Sequence, residues 1–396
     1  MKTAYILASY RTPGCRATKG KLKDMRPDDL AAIAMKGLIE RTGVDPNMIE
    51  DVYLGCSFPE GEQGMNMGRL AAMKAGFPYH VPGQTINRFC SSGIQSISMA
   101  AERIMCGFAD CIIAGGAESM SCVPMGGNKY SANPGLAVDW PEAYSSMGLT
   151  AELVAEQYGI DRPAMDIFAA ASHAKAADAI AAGRFTDEII PVEIEKTELL
   201  NGKIKRTREM VTVDDGVRPG TTAQSLAKLK PVFRVNGPVT AGNSSQMTDG
   251  AAVALVVSEE FLKRIGKDPI ARYVSFAVRG VPPEVMGIGP IAAIPLALKM
   301  AGLSQKDIDL IELNEAFASQ ALAVSRELGL DEDRLNVTGG AIAIGHPLGM
   351  SGARLAVGLL HELGRRHARR GMVALCVGVG QGQAALFESD AGRGLK

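Results

Sequence analysis

Aromatic side chains are scarce in this chain of 396 residues: they make up 5% of it, with a single tryptophan. Recognition through an aromatic ligand cage is therefore disfavoured. An excess of one charge is lacking too. Lys and Arg number 42 against 43 Asp and Glu, so no nucleic-acid partner is expected, because neutralising phosphates needs a basic surplus or stripe. No apolar run reaches about 18 residues, which speaks against membrane insertion, and the run Ala4 to Ala8 behind Lys2 is too short for a secretory signal. The seven cysteines, at 15, 56, 90, 106, 111, 122 and 376, form no C-x-x-C pair. An odd, sparse set argues against a disulfide framework and for a reducing, cytoplasmic location. Five scattered histidines offer no metal cluster. His361 and His367 stand six apart rather than the four that puts two ligands on one helix face. Gly20-Lys21, Gly202-Lys203 and Gly266-Lys267 all lack the following Ser or Thr of a P-loop, and no G-x-S-x-G elbow occurs.

What the chain has instead is glycine, 45 residues of it, well above the usual share of about 7%. Length alone suggests two or three domains at roughly 150 residues each. A helix over Asp28 to Thr42, closed by Gly43, leads to a buried strand over Ile49 to Gly55. Nearly the same phrase returns 259 residues later, through Gly302-Leu303 into Ile308 to Asn314. At the same offset Cys90-Ser91-Ser92-Gly93 falls on Gly349-Met350-Ser351-Gly352, each opening an amphipathic helix. With slight slippage Cys111 to Gly116 matches Val373 to Gly378. The pattern is an internal duplication of a helix–strand unit, with parallel strands alternating with helices in an α/β fold. Residues from about 120 to 249 differ in character. They carry turn-rich sequence, an alanine-rich helix over Met165 to Ala182 and a charged segment, Asn201 to Glu209, and they read as an insertion covering a site. Ala251 to Val257 and Glu259 to Ile265 then read as a strand and a helix rejoining the first half.

Two residues stand out chemically. Cys90 precedes a helix over Ser91 to Met105, where the dipole lowers a thiol pKa and favours the thiolate; the alternative is a small residue packed in a core. His346 lies in Gly339 to Gly352, leaving a strand just before a helix. A neutral imidazole there could take a thiol proton, and a turn histidine with a satisfied hydrogen bond is the alternative. Cys376 sits among the glycines of Ala374 to Gly382, which lack the following acidic residue of a dinucleotide fold. The other five cysteines read as core residues. The basic run Lys203, Lys205, Arg206 and Arg208 reads either as a solvated hairpin face or as an attraction for phosphates.

Together these features resemble the thiolase family. The resemblance rests on Asn87-Arg88-Phe89-Cys90-Ser91-Ser92-Gly93, Thr240 to Ser244, Asp249 to Ala252, Asn314-Glu315-Ala316-Phe317-Ala318, Gly345-His346-Pro347 and Cys376-Val377-Gly378-Val379-Gly380, in order along nearly the whole chain. It implies a thiolase-like α/β fold of two duplicated α/β/α halves. The N-terminal half would take 1–119 plus 250–268 and the C-terminal half 269–396, with an inserted coenzyme A-binding loop domain over 120–249. It implies thiolytic cleavage of 3-ketoacyl-CoA in fatty acid β-oxidation. Coenzyme A and acyl-CoA would be substrates, with no tightly bound cofactor and no metal. A homodimer or homotetramer follows, with a further β-oxidation enzyme as a conceivable partner. By the same resemblance Cys90 is the nucleophile and His346 its activator. Asn314 holds a water at the thioester carbonyl, Cys376 moves the α-proton, and the N–H groups of Cys90 and Gly378 form an oxyanion hole. Ser245, Arg218 and Ser225 would meet coenzyme A, with Met147, Met286 and Phe317 lining its pantetheine tunnel. Acetoacetyl-specific members have a histidine just before the Met-Gly of the loop domain. Here Ser145-Ser146-Met147-Gly148 stands there, which favours longer 3-ketoacyl chains. A short-chain acetoacetyl-CoA enzyme, a ketoacyl synthase and a non-catalytic lipid carrier are the rivals.

Overall fold

The apolar run near the start of the chain is the first part of a strand, Ala4–Arg11, in a computed structural model that describes residues 2–200 and 203–389. This strand pairs antiparallel with Thr248–Ser258 on one side and, over Tyr5 and Ile6, with Ala271–Gly280 on the other. From it the sheet continues one way through 248–258, Cys111–Ser119, Asp51–Gly55 and Gln84–Ile86. The other way it runs through 271–280, Gln381–Glu388, Arg370–Val377 and Leu310–Leu313. Each side repeats one plan, which is the duplication expected from the sequence. Strand 51–55 lies parallel to 111–119, and 310–313 parallel to 370–377. The next neighbour outward from each pair towards Ala4–Arg11 is antiparallel. The expected run of parallel strands is thus corrected to a mixed sheet. The reason is plain at Val377 and Gln381: three residues join them, and only antiparallel neighbours can share so short a connection.

Side chains alternate along the strands and so feed different cores. Ile113 and Ala117 face an outer layer built on helix Pro27–Thr42, whose end is closed by Gly43 in the left-handed conformation (φ 65°). Ile112 and Ala114 face an inner layer made by two helices, Ser92–Met105 and Leu348–Arg366. That inner core also takes Val373, Leu375 and Phe387 from the second half, so one apolar cluster spans both repeats. Helix Gly289–Ala301 covers the far face of the second half with Ala293, Ile294, Ala297 and Leu298. The wider segment Pro283–Ala301 is long and apolar enough to cross a membrane by composition, although Glu284 and Lys299 interrupt it. Its backbone breaks at Val285 (φ −123°, ψ 35°), and its helix lies on the sheet.

The two inner helices meet backbone to backbone. A Cβ added to Gly93 would lie 2.8 Å from Ala353 N and 2.9 Å from Gly349 O, and one on Gly352 would lie 2.7 Å from Ile94 N. Glycine is required there because nothing larger fits between the chains.

The region between the halves carries helices Pro134–Asp139, Met147–Gln157 and Arg162–Ala181 and a hairpin of Val192–Leu200 with Lys203–Val211. The alanine-rich helix begins three residues earlier than its composition indicates, because Asp161 caps it by accepting from Ala164 N–H and Pro163 follows in its first turn. On the hairpin Arg206 pairs with Glu195 and Arg208 with Glu193, all on an exposed face. Residues 201 and 202 of the charged segment, like 390–396 of the second half, lie outside the described residues. A buried ion cluster ties this region to the frame. Arg11 donates to Glu188 at 2.6 Å and to both oxygens of Asp214 at 2.7 and 2.9 Å.

Candidate active site

Cys90 sits in a tight turn, Phe89–Ser91, that runs into the helix Ser92–Met105. The turn is held at both ends. Asn87 Oδ1 accepts from Phe89 N–H at 2.8 Å, and Ser92 Oγ accepts from Arg88 N–H at 2.9 Å. The Arg88 guanidinium bridges the halves, donating to Gln95 at 2.6 Å and to Gln381 at 2.8 Å. Phe89 adopts φ 43°, a left-handed conformation that costs a bulky residue energy and persists only where its surroundings enforce it. Backbone N–H groups of Gly378 and of Cys90 itself favour the charged form of the Cys90 thiol. Burial nevertheless outweighs these donors and pushes its pKa up to about 11. The thiolate expected from the helix terminus is therefore corrected: burial favours the neutral thiol.

The second cysteine comes from the other half. Cys376 lies near the end of strand Arg370–Val377, followed by Gly378-Val379-Gly380. Gly380 has φ 77°, and a Cβ there would lie 2.2 Å from Val281 O, so the turn demands glycine. A Cβ on Gly378 would touch the Phe89 ring at 3.6 Å and Met147 Sδ at 3.8 Å. Burial, with the charge of a Cys90 thiolate as the next cause, raises the Cys376 thiol far above its ordinary value. Met286 and Phe317 share its apolar cluster, with Met147 packed against it. The structure thus gathers these three apolar residues in the cluster that contains Cys376.

His346 follows a helical turn, Ala341–Ile344, and not the strand expected from the sequence. Gly345 (φ 106°) then reverses the chain, and His346 N–H donates to Gln246 O at 2.9 Å. The ring is buried, with Nδ1 2.5 Å from Ser351 Oγ and Nε2 3.3 Å from Asn314 Nδ2. Burial first and the nearby Arg354 charge second push its pKa down to about 3, so the imidazole is neutral. Asn314 is itself fixed through N–H to Ala374 O at 2.9 Å. Its Oδ1 is buried with no hydrogen-bond partner among the described residues.

The remaining candidates divide. Ser245 donates its N–H to Ala316 O at 3.0 Å, beside Phe317. Arg218 is exposed, and its backbone N–H donates to His173 Nδ1 at 3.2 Å. Ser225 is exposed and uses its hydroxyl in a capping box with Thr222. Neither Arg218 nor Ser225 hydrogen-bonds to Cys90, His346, Cys376 or Asn314. Ser146 caps the helix that opens with Met147, its side chain accepting from Leu149 N–H. Of the five cysteines expected in the core, Cys15, Cys56 and Cys111 are buried. Cys106 is exposed at a helix end and Cys122 half-buried, which corrects that expectation.

Two buried carboxyls escaped the sequence reading. Glu118 accepts from Ser57 N–H at 2.8 Å, from Gly349 N–H at 2.7 Å and from Gln63 at 2.7 Å. It thereby ties the Asp51–Gly55 side to the first turn of the His346 helix. Glu315 accepts from Ser172 at 2.7 Å, Asn336 at 3.0 Å and Ile342 N–H at 3.2 Å, steadying the segment before His346.

Residues 4–260 match the family model described as thiolase, N-terminal domain, and 267–389 the one described as thiolase, C-terminal domain. A 3-ketoacyl-CoA thiolase of Bacillus subtilis is 53% identical over 389 residues, spanning 98% of this chain and 100% of the relative. The crystal structure of a Bacillus anthracis acetyl-CoA acetyltransferase superposes with a TM-score of 0.90 at 40% identity, covering 98% and 99% of the two chains. That of human mitochondrial 3-ketoacyl-CoA thiolase gives 0.88 at 39% identity with the same coverage.

Proposed function

The chain belongs to the thiolase family, and from that premise we propose that it is an acyltransferase cleaving 3-ketoacyl-CoA with coenzyme A. The products are acetyl-CoA and an acyl-CoA shortened by two carbons, and the intermediate is an acyl thioester on Cys90. The observation that carries this is the packing of the Cys90 turn, through Phe89, against the Gly378 loop of the opposite half, two residues from a second buried thiol, Cys376. Neutral His346 takes the thiol proton as Cys90 sulfur attacks the 3-keto carbon, its unprotonated form leaving it free to accept. Breaking the bond between C2 and C3 leaves the enolate of acetyl-CoA, and Cys376, a thiol rather than a thiolate, donates the proton to its carbon. Coenzyme A sulfur then attacks the acyl group as its thiol proton passes to the Cys376 thiolate, and protonated His346 returns its proton to the departing Cys90 sulfur. N–H groups of Cys90 and Gly378 face the charge that develops on oxygen, with His346 and a water on Asn314 serving the other carbonyl.

In this reading residues 120–249 form the coenzyme A-binding insertion, with Met147, Met286 and Phe317 along the pantetheine and Ser245, Arg218 and Ser225 further out. The enzyme acts in cytoplasmic β-oxidation as a homodimer or homotetramer without a tightly bound cofactor. The acetyl-CoA acetyltransferase likeness favours a second, short-chain reading; Ser145-Ser146 in place of histidine speaks against it. Incubation with an acyl-CoA followed by peptide mass mapping tests the mechanism. An acyl mass on Cys90, lost in Cys90→Ser, is expected; labelling elsewhere or nowhere defeats it. Activity with acetoacetyl-CoA and none at six carbons or longer would replace the first reading with the second.

A further inference from the structure

We propose that Ser351 is a positioning residue that sets the tautomer of His346. The inference rests on the reading of His346 as the base for Cys90. Ser351 lies five residues beyond the histidine, in the first turn of helix Leu348–Arg366, and is fully buried. Its hydroxyl proton goes to Pro347 O at 2.8 Å. A hydroxyl has one proton, so towards His346 Nδ1, at 2.5 Å, the oxygen acts as acceptor. Nδ1 therefore carries the ring proton of the neutral imidazole, and Nε2 is left with its lone pair. The contact on the far side agrees: Asn314 Nδ2, a donor, faces Nε2 at 3.3 Å. A bare Nε2 is the form that can take a proton from a thiol; protonated, it could only donate.

The arrangement resembles the carboxylate that orients the histidine of a serine protease, where the wrong tautomer alone costs about 10⁴-fold. Here a neutral hydroxyl does the orienting. It adds no negative charge beside the ring, which suits an imidazole held far from protonation. The helix supplies the rigidity. Ser351 N–H and Oγ–H both return to Pro347 O, so the hydroxyl is fixed to the same turn that carries the histidine.

Removing the hydroxyl leaves Nδ1–H buried without an acceptor, and the proton moves to Nε2, where it blocks the base. The test pairs Ser351→Ala with His346→Asn in protein labelled with ¹⁵N at the histidine rings, the latter variant identifying the His346 signals among the five histidines. In Ser351→Ala the Nε2 signal should leave the unprotonated region wholly or in part. Acylation of Cys90 should slow by about 100-fold, the lower end of what general base catalysis contributes, with KM for the acyl-CoA unchanged within about twofold. A slower reaction without a change at Nε2 overturns the proposal, and so does a tautomer change without loss of rate. If His346→Asn acylates Cys90 at the wild-type rate, the reading of His346 as base fails instead, whatever Ser351 does.

Discussion

At Cys90 nearby backbone N–H groups and burial pull the thiol in opposite directions, and burial wins. A consequence is measurable without substrate. Alkylation of Cys90 by iodoacetamide should be slow at pH 7 and rise about tenfold per pH unit, levelling only near pH 11, because the thiolate is the reacting form. A plateau already near pH 8 would restore the activated thiolate. The residue scale is also where the limits of the sequence are clearest. Cys90, His346 and Cys376 could be singled out because reactive side chains among glycines are unusual. Ser351, Glu118 and Glu315 could not, since a buried serine or acid has meaning only through partners that folding brings to it. Ser351 finds its ring five residues away, but Glu118 meets Gly349 across 231 residues of chain.

Among the elements, the two inner helices matter most, because each starts beside a reacting side chain and each touches the other through glycine. Gly93→Ala would force a methyl to 2.8 Å from Ala353 N, with backbone on the far side that cannot rotate away. Overpacking of this kind costs typically 1–3 kcal/mol, and urea unfolding should place the variant at least that far below the wild type. An unchanged midpoint would mean that the helices separate freely. Their amphipathic pattern and the repeat they belong to were legible, as periodicity survives any arrangement of the strands. Strand direction was not legible: the antiparallel partner of Cys111–Ser119 arrives only at Thr248, after the insertion, and no local pattern announces its sense. The helical turn before His346 was missed for a related reason. Ala341 to Ile344 is as apolar as a buried strand, and too short for its period to decide.

For the molecule as a whole, the inserted region is bound to the frame by charge as well as by apolar contact. Arg11, on the central strand, holds Glu188 and Asp214 from the insertion, all three within a few per cent of full burial. Arg11→Ala would leave two acids buried without their cation, a change that costs about 3–5 kcal/mol. Urea unfolding should lose that much. Adding Glu188→Gln and Asp214→Asn should recover a good part of it, whereas equal stability of all three forms would show the cluster to be idle. The two-part plan of the chain could be read from the offset of 259 residues. The layering could not, since which face of each strand looks inward depends on pairing.

The packing of the Phe89–Ser91 turn against the Gly378 loop joins the two copies of the repeated unit at one site. Gly349 stands where Cys90 would recur at the offset of 259 residues, so neither copy carries the full set of reactive side chains. A substitution in one copy can tune the site, but loss of either copy dismantles it: the repeat serves as mutual dependence and not as a spare.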